Sequence, residues 1–179
     1  MRRLICWIIL LGAGIVADLG ADTAGAQDAS WPAPPGGWWA VLEGGESATF
    51  EVVSGNVSME MVLTVDKVND SQIVLGMETI RGEDRSPKKT RVVDVAAADM
   101  VPPGAKVRKG SETEVVLSGN TLRCTTYELT DDGFEMSAVH CPELPPIFNG
   151  GNARVVTGAG EPRSVTTLKT YKGGLLNPP

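Results

Sequence analysis

Apolar and polar residues alternate along most of the stretch from Val57 to Val68. The apolar side chains fall on every second position, at Val57, Met59, Met61, Leu63 and Val65. Most of the positions between them carry charged or hydroxyl side chains. This period of two is typical of a β-strand that buries one face and leaves the other in water.

The next stretch, residues 71–80, has the same period. Its apolar face carries Ile73, Leu75, Met77 and Thr79. Because both apolar sets fall on odd numbers, the numbers of two facing residues must have an even sum. A two-residue turn at Asn69-Asp70 breaks this rule. A three-residue loop, Asn69-Asp70-Ser71, keeps both apolar sets on one side of the sheet.

Shorter apolar runs between Gly, Pro, Asn and Asp turn signals predict seven more strands. They are residues 47–53, 90–95, 112–117, 121–131, 134–140, 153–157 and 164–171. Residues 96–100 fit a single helical turn stopped by Pro102-Pro103. The predicted fold class is therefore all-β. We expect an antiparallel meander of about nine strands forming one curved sheet, as a half-barrel, a barrel or a sandwich.

The strongest local prediction is a β-hairpin over Thr121 to Cys141. Asp132-Gly133 is typical of a two-residue type I′ turn, which places Asp131 opposite Phe134. Counting outward from that pair places Cys124 opposite Cys141. The counting also makes them a non-hydrogen-bonded pair, with Cα atoms ~4.5 Å apart, within the range of a disulfide. The hairpin therefore predicts a disulfide between Cys124 and Cys141.

Hairpin parity also sorts the side chains into two faces. One face carries Tyr127, Leu129, Phe134, Met136 and Ala138, and we expect it to turn inward. His140, opposite Thr125, falls on this same face. The disulfide falls on the other face, which carries more polar residues, so we expect the bridge on the polar side of the hairpin.

The N-terminus, Met1 to Ala26, resembles a secretory signal peptide. Arg2 and Arg3 precede an apolar stretch, and Ala24-Gly25-Ala26 supplies the small residues before a cleavage site. The stretch is shorter than the ~20 residues that span a bilayer. We therefore expect export to the periplasm or the extracellular space after cleavage near Ala26/Gln27, with no transmembrane span afterwards. A retained N-terminal anchor is the alternative.

Charge and cysteine content narrow the choice of partners. The signal segment holds two basic and two acidic residues, so the formal net charge of −6 is unchanged by its removal. An acidic exported protein repels nucleic acid and anionic lipid. Only Cys124 and Cys141 remain after cleavage, which favours one structural bridge in an oxidising compartment.

We expect a Pro/Gly/Trp-rich entry segment at 27–45, a single β domain at 46–172 and a loose tail at 173–179. The entry segment carries Trp31, Trp38 and Trp39. One interpretation is that these rings cap an open end or edge of the core. The other is a stacking platform for sugar rings or a partner peptide, since flat aromatic faces suit both.

Little in the chain indicates catalysis. The chain has one histidine, His140, and no GxSxG, GxGxxG, P-loop or HExxH motif. The predicted disulfide removes both cysteines as nucleophiles. The acidic pairs Glu83-Asp84 and Asp131-Asp132 lie in predicted turns, where carboxylates are ordinarily solvated. We expect no enzyme and no cofactor; carboxylates of a glycosidase type would carry no motif and remain the alternative.

Methionines offer one metal hypothesis. Met59 and Met61 point the same way on one strand, and Met77 lies on the facing strand, so their thioethers suit Cu(I). The same residues also belong to a plain apolar stripe, where methionine fills irregular core space. We favour the core interpretation and expect no metal.

The combination of a signal peptide and an antiparallel meander over Gly44 to Tyr171 resembles small exported bacterial β-rich proteins. It is also distantly similar to the periplasmic lipoprotein carriers of the LolA and LppX kind. That resemblance implies a curved sheet around an apolar cavity. Those carriers close the open face with helices, whereas here only the Trp-bearing segment and Pro142 to Gly151 are placed to do so.

We therefore expect a non-enzymatic exported β-domain that binds an apolar small molecule, a lipid or an envelope protein. The alternative is a structural or assembly module with a packed core. The expected binding face is the open side of the sheet, formed by Trp38, Trp39, Met59, Met61, Leu63, Met77, Phe134, Ile147 and Phe148.

Overall fold

The computed structural model describes residues 27–32, 42–69, 72–94, 105–131, 133–158 and 163–176. The predicted signal segment, Trp38, Trp39 and the predicted helical turn at 96–100 lie outside these ranges. Within them, the chain forms eleven strands. They are β1 (Gln27–Ala29), β2 (Ser47–Ser54), β3 (Val57–Val68), β4 (Gln72–Arg81), β5 (Asp84–Arg85), β6 (Lys89–Asp94), β7 (Lys106–Leu117), β8 (Asn120–Asp131), β9 (Phe134–His140), β10 (Asn152–Thr157) and β11 (Ser164–Lys172). A short 3-10 turn, Asn149–Gly151, precedes β10.

The strands form one open antiparallel sheet, so the predicted all-β meander is confirmed. Seven strands pair in the order β1-β7-β8-β9-β10-β11-β2, while β4 pairs with β3 on one side and with β5 and β6 on the other. The backbone of Val65 on β3 bonds to Gly45 and Glu46, just before β2, at 2.7 and 2.8 Å. Among the described residues the sheet does not close, which excludes the barrel alternative.

The pairing of β3 with β4 follows the predicted parity for most of its length. Leu63 faces Met77 and Val65 faces Leu75, each with an even sum. Beyond Val65 the register shifts by one residue, so that Val68 faces Ile73. The three-residue loop predicted from parity is therefore wrong. A bulge at Asp66 takes up the odd residue instead, as bulges do when one strand carries an extra residue.

The β8–β9 hairpin has the predicted register at all seven of its pairs, from Asp131 opposite Phe134 to Thr125 opposite His140. The disulfide joins Cys124 and Cys141, whose Cα atoms lie 4.2 Å apart. Its predicted environment is wrong. Cys124 and Cys141 are 2% and 0% exposed and belong to the main apolar core.

The physical reason lies in the segment that follows β9. Leu144 and Phe148, in the loop Pro142 to Gly151, are 1% and 0% exposed and pack in the same core as the bridge. The loop therefore covers the disulfide side of the hairpin. The opposite side is buried as well, since Leu129 and Ala138 are 0% and 1% exposed.

The tail, expected to be loose, is packed as far as the structure describes it. Leu176 is 5% exposed and belongs to the main core. Its N–H donates to the backbone oxygen of Glu143 at 2.7 Å, and the hydroxyl of Tyr171 donates to the backbone oxygen of Gly174 at 2.7 Å. These contacts connect the end of β11 to the loop after β9.

Candidate functional site

The residues expected to form an open apolar face are distributed over several environments. Phe148 is 0% exposed within the core, and Met61, Leu63 and Ile147 pack against that core. Met59, Met77 and Phe134 are half-buried, while Trp38 and Trp39 lie outside the described residues. Phe148 is thus a core residue, and the rest of the described set does not form one exposed surface.

A different group of residues meets at the end of the β8–β9 hairpin. Trp31, two residues after β1, packs its ring 5.6 Å from the ring of Tyr127 and 6.5 Å from that of His140, centroid to centroid. Tyr127 and His140 contact each other edge-on, with centroids 6.2 Å apart. Pairing of β1 with β7, where Ala29 faces Val107, positions Trp31 over this face.

His140 is the last residue of β9 and faces Asn152, the first residue of β10. The loop between them closes through a hydrogen bond from the Cys141 N–H to the Gly151 oxygen, 2.9 Å long. Three successive residues in the loop are left-handed, with φ of 54° at Asn149, 69° at Gly150 and 74° at Gly151. Asn is one of the few side chains that tolerates this region, which explains the sequence Asn-Gly-Gly here.

This loop and its ends hold a group of buried polar atoms without hydrogen-bond partners. In the described parts of the chain, the side-chain atoms of this kind are His140 Nδ1, Glu143 Oε2, Asn149 Nδ2 and Asn152 Oδ1. We call these four residues the polar site. Buried polar atoms are normally hydrogen-bonded, and leaving one unpaired costs about 1–3 kcal/mol. Their concentration within one short segment is therefore the feature that most suggests a ligand.

The remaining hydrogen bonds of the polar site fix how its side chains are oriented. Asn152 is 4% exposed, and its Nδ2 donates to the backbone oxygen of Asn149 at 2.7 Å, which leaves Oδ1 as the unpaired atom. The other carboxylate oxygen of Glu143, Oε1, accepts from the N–H of Arg123 at 3.3 Å. In each of these two side chains, one terminal polar atom is hydrogen-bonded and the other has no hydrogen-bond partner.

Burial lowers the pKa of His140 below its usual 6.5, and this is the largest influence on it. The Asn152 side chain, the Gly150 backbone and the charge of Glu143 act in the opposite direction. The imidazole is therefore neutral at neutral pH, with one ring nitrogen as donor and the other as acceptor. These influences also place Asn152, Gly150 and Glu143 close to the His140 ring.

Within the described residues, this site contains neither a free thiol nor a cluster of metal-binding side chains. The cysteines of the described chain are joined in the disulfide, so neither is a nucleophile. Within the described ranges, no group of three or more His, Cys, Asp or Glu side chains is placed to hold a metal ion. What the site does offer is a set of fixed hydrogen-bonding atoms beside two aromatic rings.

Part of this site could be predicted from the sequence. Hairpin parity places His140 on the same face as Tyr127, and the structure confirms the pairing with Thr125. The edge-on contact of the two rings is an addition that the structure makes to this prediction. Asn149 and Asn152 were missed because their position depends on how the Pro-rich loop closes. The Asn-Gly-Gly run is the signal in the sequence that points to an unusual backbone there.

Comparison of the chain with protein-family profiles, with curated proteins and with solved structures finds no match in any of the three. Among the helices that the structure describes, none is long and apolar enough to cross a membrane.

Proposed function

We propose that this chain is an exported, non-enzymatic β-sheet domain that binds a small ligand or an envelope partner at the polar site beside Trp31 and Tyr127. The observation that carries the proposal is the concentration of unpaired buried polar atoms in residues 140–152. Binding sites commonly combine aromatic walls with a few fixed polar groups, and this part of the chain has both.

Export is supported by two features. The sequence of residues 1–26 has the order of regions of a signal peptide. The disulfide between Cys124 and Cys141 suits an oxidising compartment. Cleavage near Ala26/Gln27 would leave β1, and with it Trp31, close to the new N-terminus.

A structural or assembly module is the second candidate. It is favoured by the burial of Phe148 and by the packing of Met61, Leu63 and Ile147 against the core, since these residues fill the space that an apolar ligand would need. Under this candidate the polar site holds ordered water, which satisfies buried polar groups in many proteins.

Native mass spectrometry of the protein purified from its own envelope separates the two candidates. A bound mass is expected on the wild type and should be lost in Trp31→Ala, which removes a half-buried ring of the site. Val116→Ala is the control, because Val116 is 74% exposed. A wild-type protein that carries no bound mass, or one that Trp31→Ala retains in full, would favour the structural module.

A further inference from the structure

The unpaired atoms of the polar site are mostly hydrogen-bond acceptors. Glu143 Oε2 and Asn152 Oδ1 can only accept, and Asn149 Nδ2 can only donate. His140 Nδ1 accepts when the ring proton is on Nε2. In that tautomer, the polar site has three acceptors and one donor without a hydrogen-bond partner.

The other tautomer of His140 also leaves an acceptor atom without a hydrogen-bond donor. A proton on Nδ1 of His140 can be donated to Oδ1 of Asn152, because the two residues face each other across β9 and β10. Glu143 Oε2 then remains the unpaired acceptor. In either case a buried carboxylate oxygen needs a donor, and donors to a charged group form the stronger hydrogen bonds.

Charge narrows the choice of donor. The neutral His140 supplies no positive charge to the site, and the charge that acts on its ring is the negative charge of Glu143. Oε2 of Glu143 is buried although the residue as a whole is only half-buried, and a cationic ligand supplies this oxygen with both a donor and an opposite charge. The rings of Trp31 and Tyr127 lie beside His140, and aromatic faces attract cations.

We propose that the polar site binds the primary ammonium group of a small organic amine, with Glu143 Oε2, Asn152 Oδ1 and His140 Nδ1 accepting its three N–H donors. An ammonium group has three donors and no acceptor, which matches this set. Asn149 Nδ2 is left to donate to an oxygen atom elsewhere on the same ligand. The inference rests on the proposed function and adds the ligand class to it.

A neutral polyol is the main competitor, since hydroxyl groups both donate and accept and sugar rings stack on Trp. It leaves the charge of Glu143 uncompensated, so the observations favour the amine. A quaternary ammonium would use the rings alone, because it has no N–H. These differences allow three small probes to separate the possibilities.

The experiment is an NMR titration of the full exported chain at pH 7.5 with ethanolamine, tetramethylammonium and ethylene glycol. Saturable shifts are expected at the side-chain amides of Asn149 and Asn152 and at the His140 ring with ethanolamine. Each of the other two probes lacks either the N–H donors or the charge, so we expect affinities weaker by about tenfold or more. Equal shifts with ethylene glycol would overturn the amine while leaving a binding site in place.

The deciding variant is Glu143→Gln, which removes the charge and keeps an oxygen for the Arg123 N–H. It should abolish the response to ethanolamine. Glu135→Gln is the matched control, because Glu135 is an exposed residue of β9. Shifts that persist in Glu143→Gln, or no saturable shift in the folded wild type, would overturn the proposal; the latter result means that ordered water alone fills the site.

A lipid headgroup carries the same chemistry as a free amine. Sedimentation with phosphatidylethanolamine vesicles, with phosphatidylcholine vesicles as the control, distinguishes the two sources. The burial of the unpaired atoms favours the free amine, so we expect ethanolamine to bind and neither vesicle to pull the protein down. Selective sedimentation with phosphatidylethanolamine would assign the ammonium to a lipid instead.

Discussion

The imidazole of His140 lies so close to the backbone of Gly151 that a side chain at position 151 would crowd it. A Cβ on Gly151 would lie 3.1 Å from Cε1 of His140 and 3.1 Å from the backbone oxygen of Leu144. Gly151 also has a φ of 74°, in the left-handed region. The position of the polar site therefore depends on a glycine at this point.

We expect Gly151→Ala to lower the free energy of unfolding by about 2–4 kcal/mol, through left-handed strain and displacement of His140. Gly133→Ala is the control. Its φ is 85° but nothing lies within 4 Å of its Cβ position, so it should lose only the strain, about 1–2 kcal/mol. Urea denaturation of both variants measures the difference. Equal losses would show that the contact with His140 contributes nothing.

The lowered pKa of His140 predicts how stability depends on pH. In the unfolded chain the imidazole takes up its proton near pH 6.5, whereas in the folded protein it does so only at lower pH. The unfolded state therefore binds more protons below pH 6.5, and the free energy of unfolding falls as the pH falls. The loss ends once the pH is below the pKa of the folded state.

This contribution is measured as the difference between wild type and His140→Gln in urea midpoints from pH 7.5 to pH 4.5. The carboxylates that also titrate in this range are common to both proteins and cancel. The wild type should lose stability relative to the variant as the pH is lowered. A difference that stays constant with pH would contradict the burial of a neutral imidazole.

The structure shows which parts of the fold the sequence was able to specify. β3 and the β8–β9 hairpin were predicted with nearly correct bounds, because alternation of apolar and polar residues and an Asp-Gly turn are local signals. The first half of β7, residues 106–111, was missed because residues 108–111 are exposed and lack an apolar stripe. β1 was missed because its existence depends on pairing with β7.

The candidate site was harder to predict for the same reason. His140 was placed on the correct face by hairpin parity, but its partners Asn149 and Asn152 come from the far side of a loop. The loop also reversed the expected environment of the disulfide by covering it with Leu144 and Phe148. Hairpin parity assigns each side chain to one face of the sheet. Which of the two faces is buried depends on segments that come later in the chain.

The disulfide should contribute substantially to stability. The bridge closes a separation of 17 residues, and the loop-entropy model gives about 3 kcal/mol for a loop of this size. We expect a double replacement of Cys124 and Cys141 by Ala to lower the free energy of unfolding by about that amount. Mass spectrometry of non-reduced peptides should show the linkage in the wild type. Free thiols in exported material would contradict the hairpin register.

Burial raises the pKa of Tyr171 from 10.0 to about 12, with a further contribution from the charge of Glu46. The folded state therefore keeps its proton to higher pH than the unfolded chain. Stability from this group is complete below pH 10 and is lost as the pH rises toward 12. In Tyr127→Phe, Tyr171 is the one tyrosine left, and the absorbance near 295 nm should rise with a midpoint near pH 12. A midpoint near pH 10 would show that the ring is exposed.

The side chain of Lys88 crosses β4 at Gly76 to bond with Asp66 at the bulge of β3, with Nζ and Oδ1 2.5 Å apart. A Cβ on Gly76 would lie 1.8 Å from Lys88 Cε, so Gly76→Ala displaces a flexible side chain rather than backbone. Alanine is otherwise better than glycine inside a strand by roughly 0.5–1 kcal/mol.

The two residues should therefore be coupled in a double-mutant cycle measured by urea denaturation. In the wild type, Gly76→Ala should be close to neutral, because the partly exposed ion pair that it breaks is worth at most about 1 kcal/mol. In a Lys88→Ala background no side chain lies in the way, and Gly76→Ala should raise the free energy of unfolding by roughly 0.5–1 kcal/mol. The difference between the two effects is the coupling of Lys88 with the strand beneath it. If Gly76→Ala has the same effect in both backgrounds, Lys88 does not lie across Gly76 in solution.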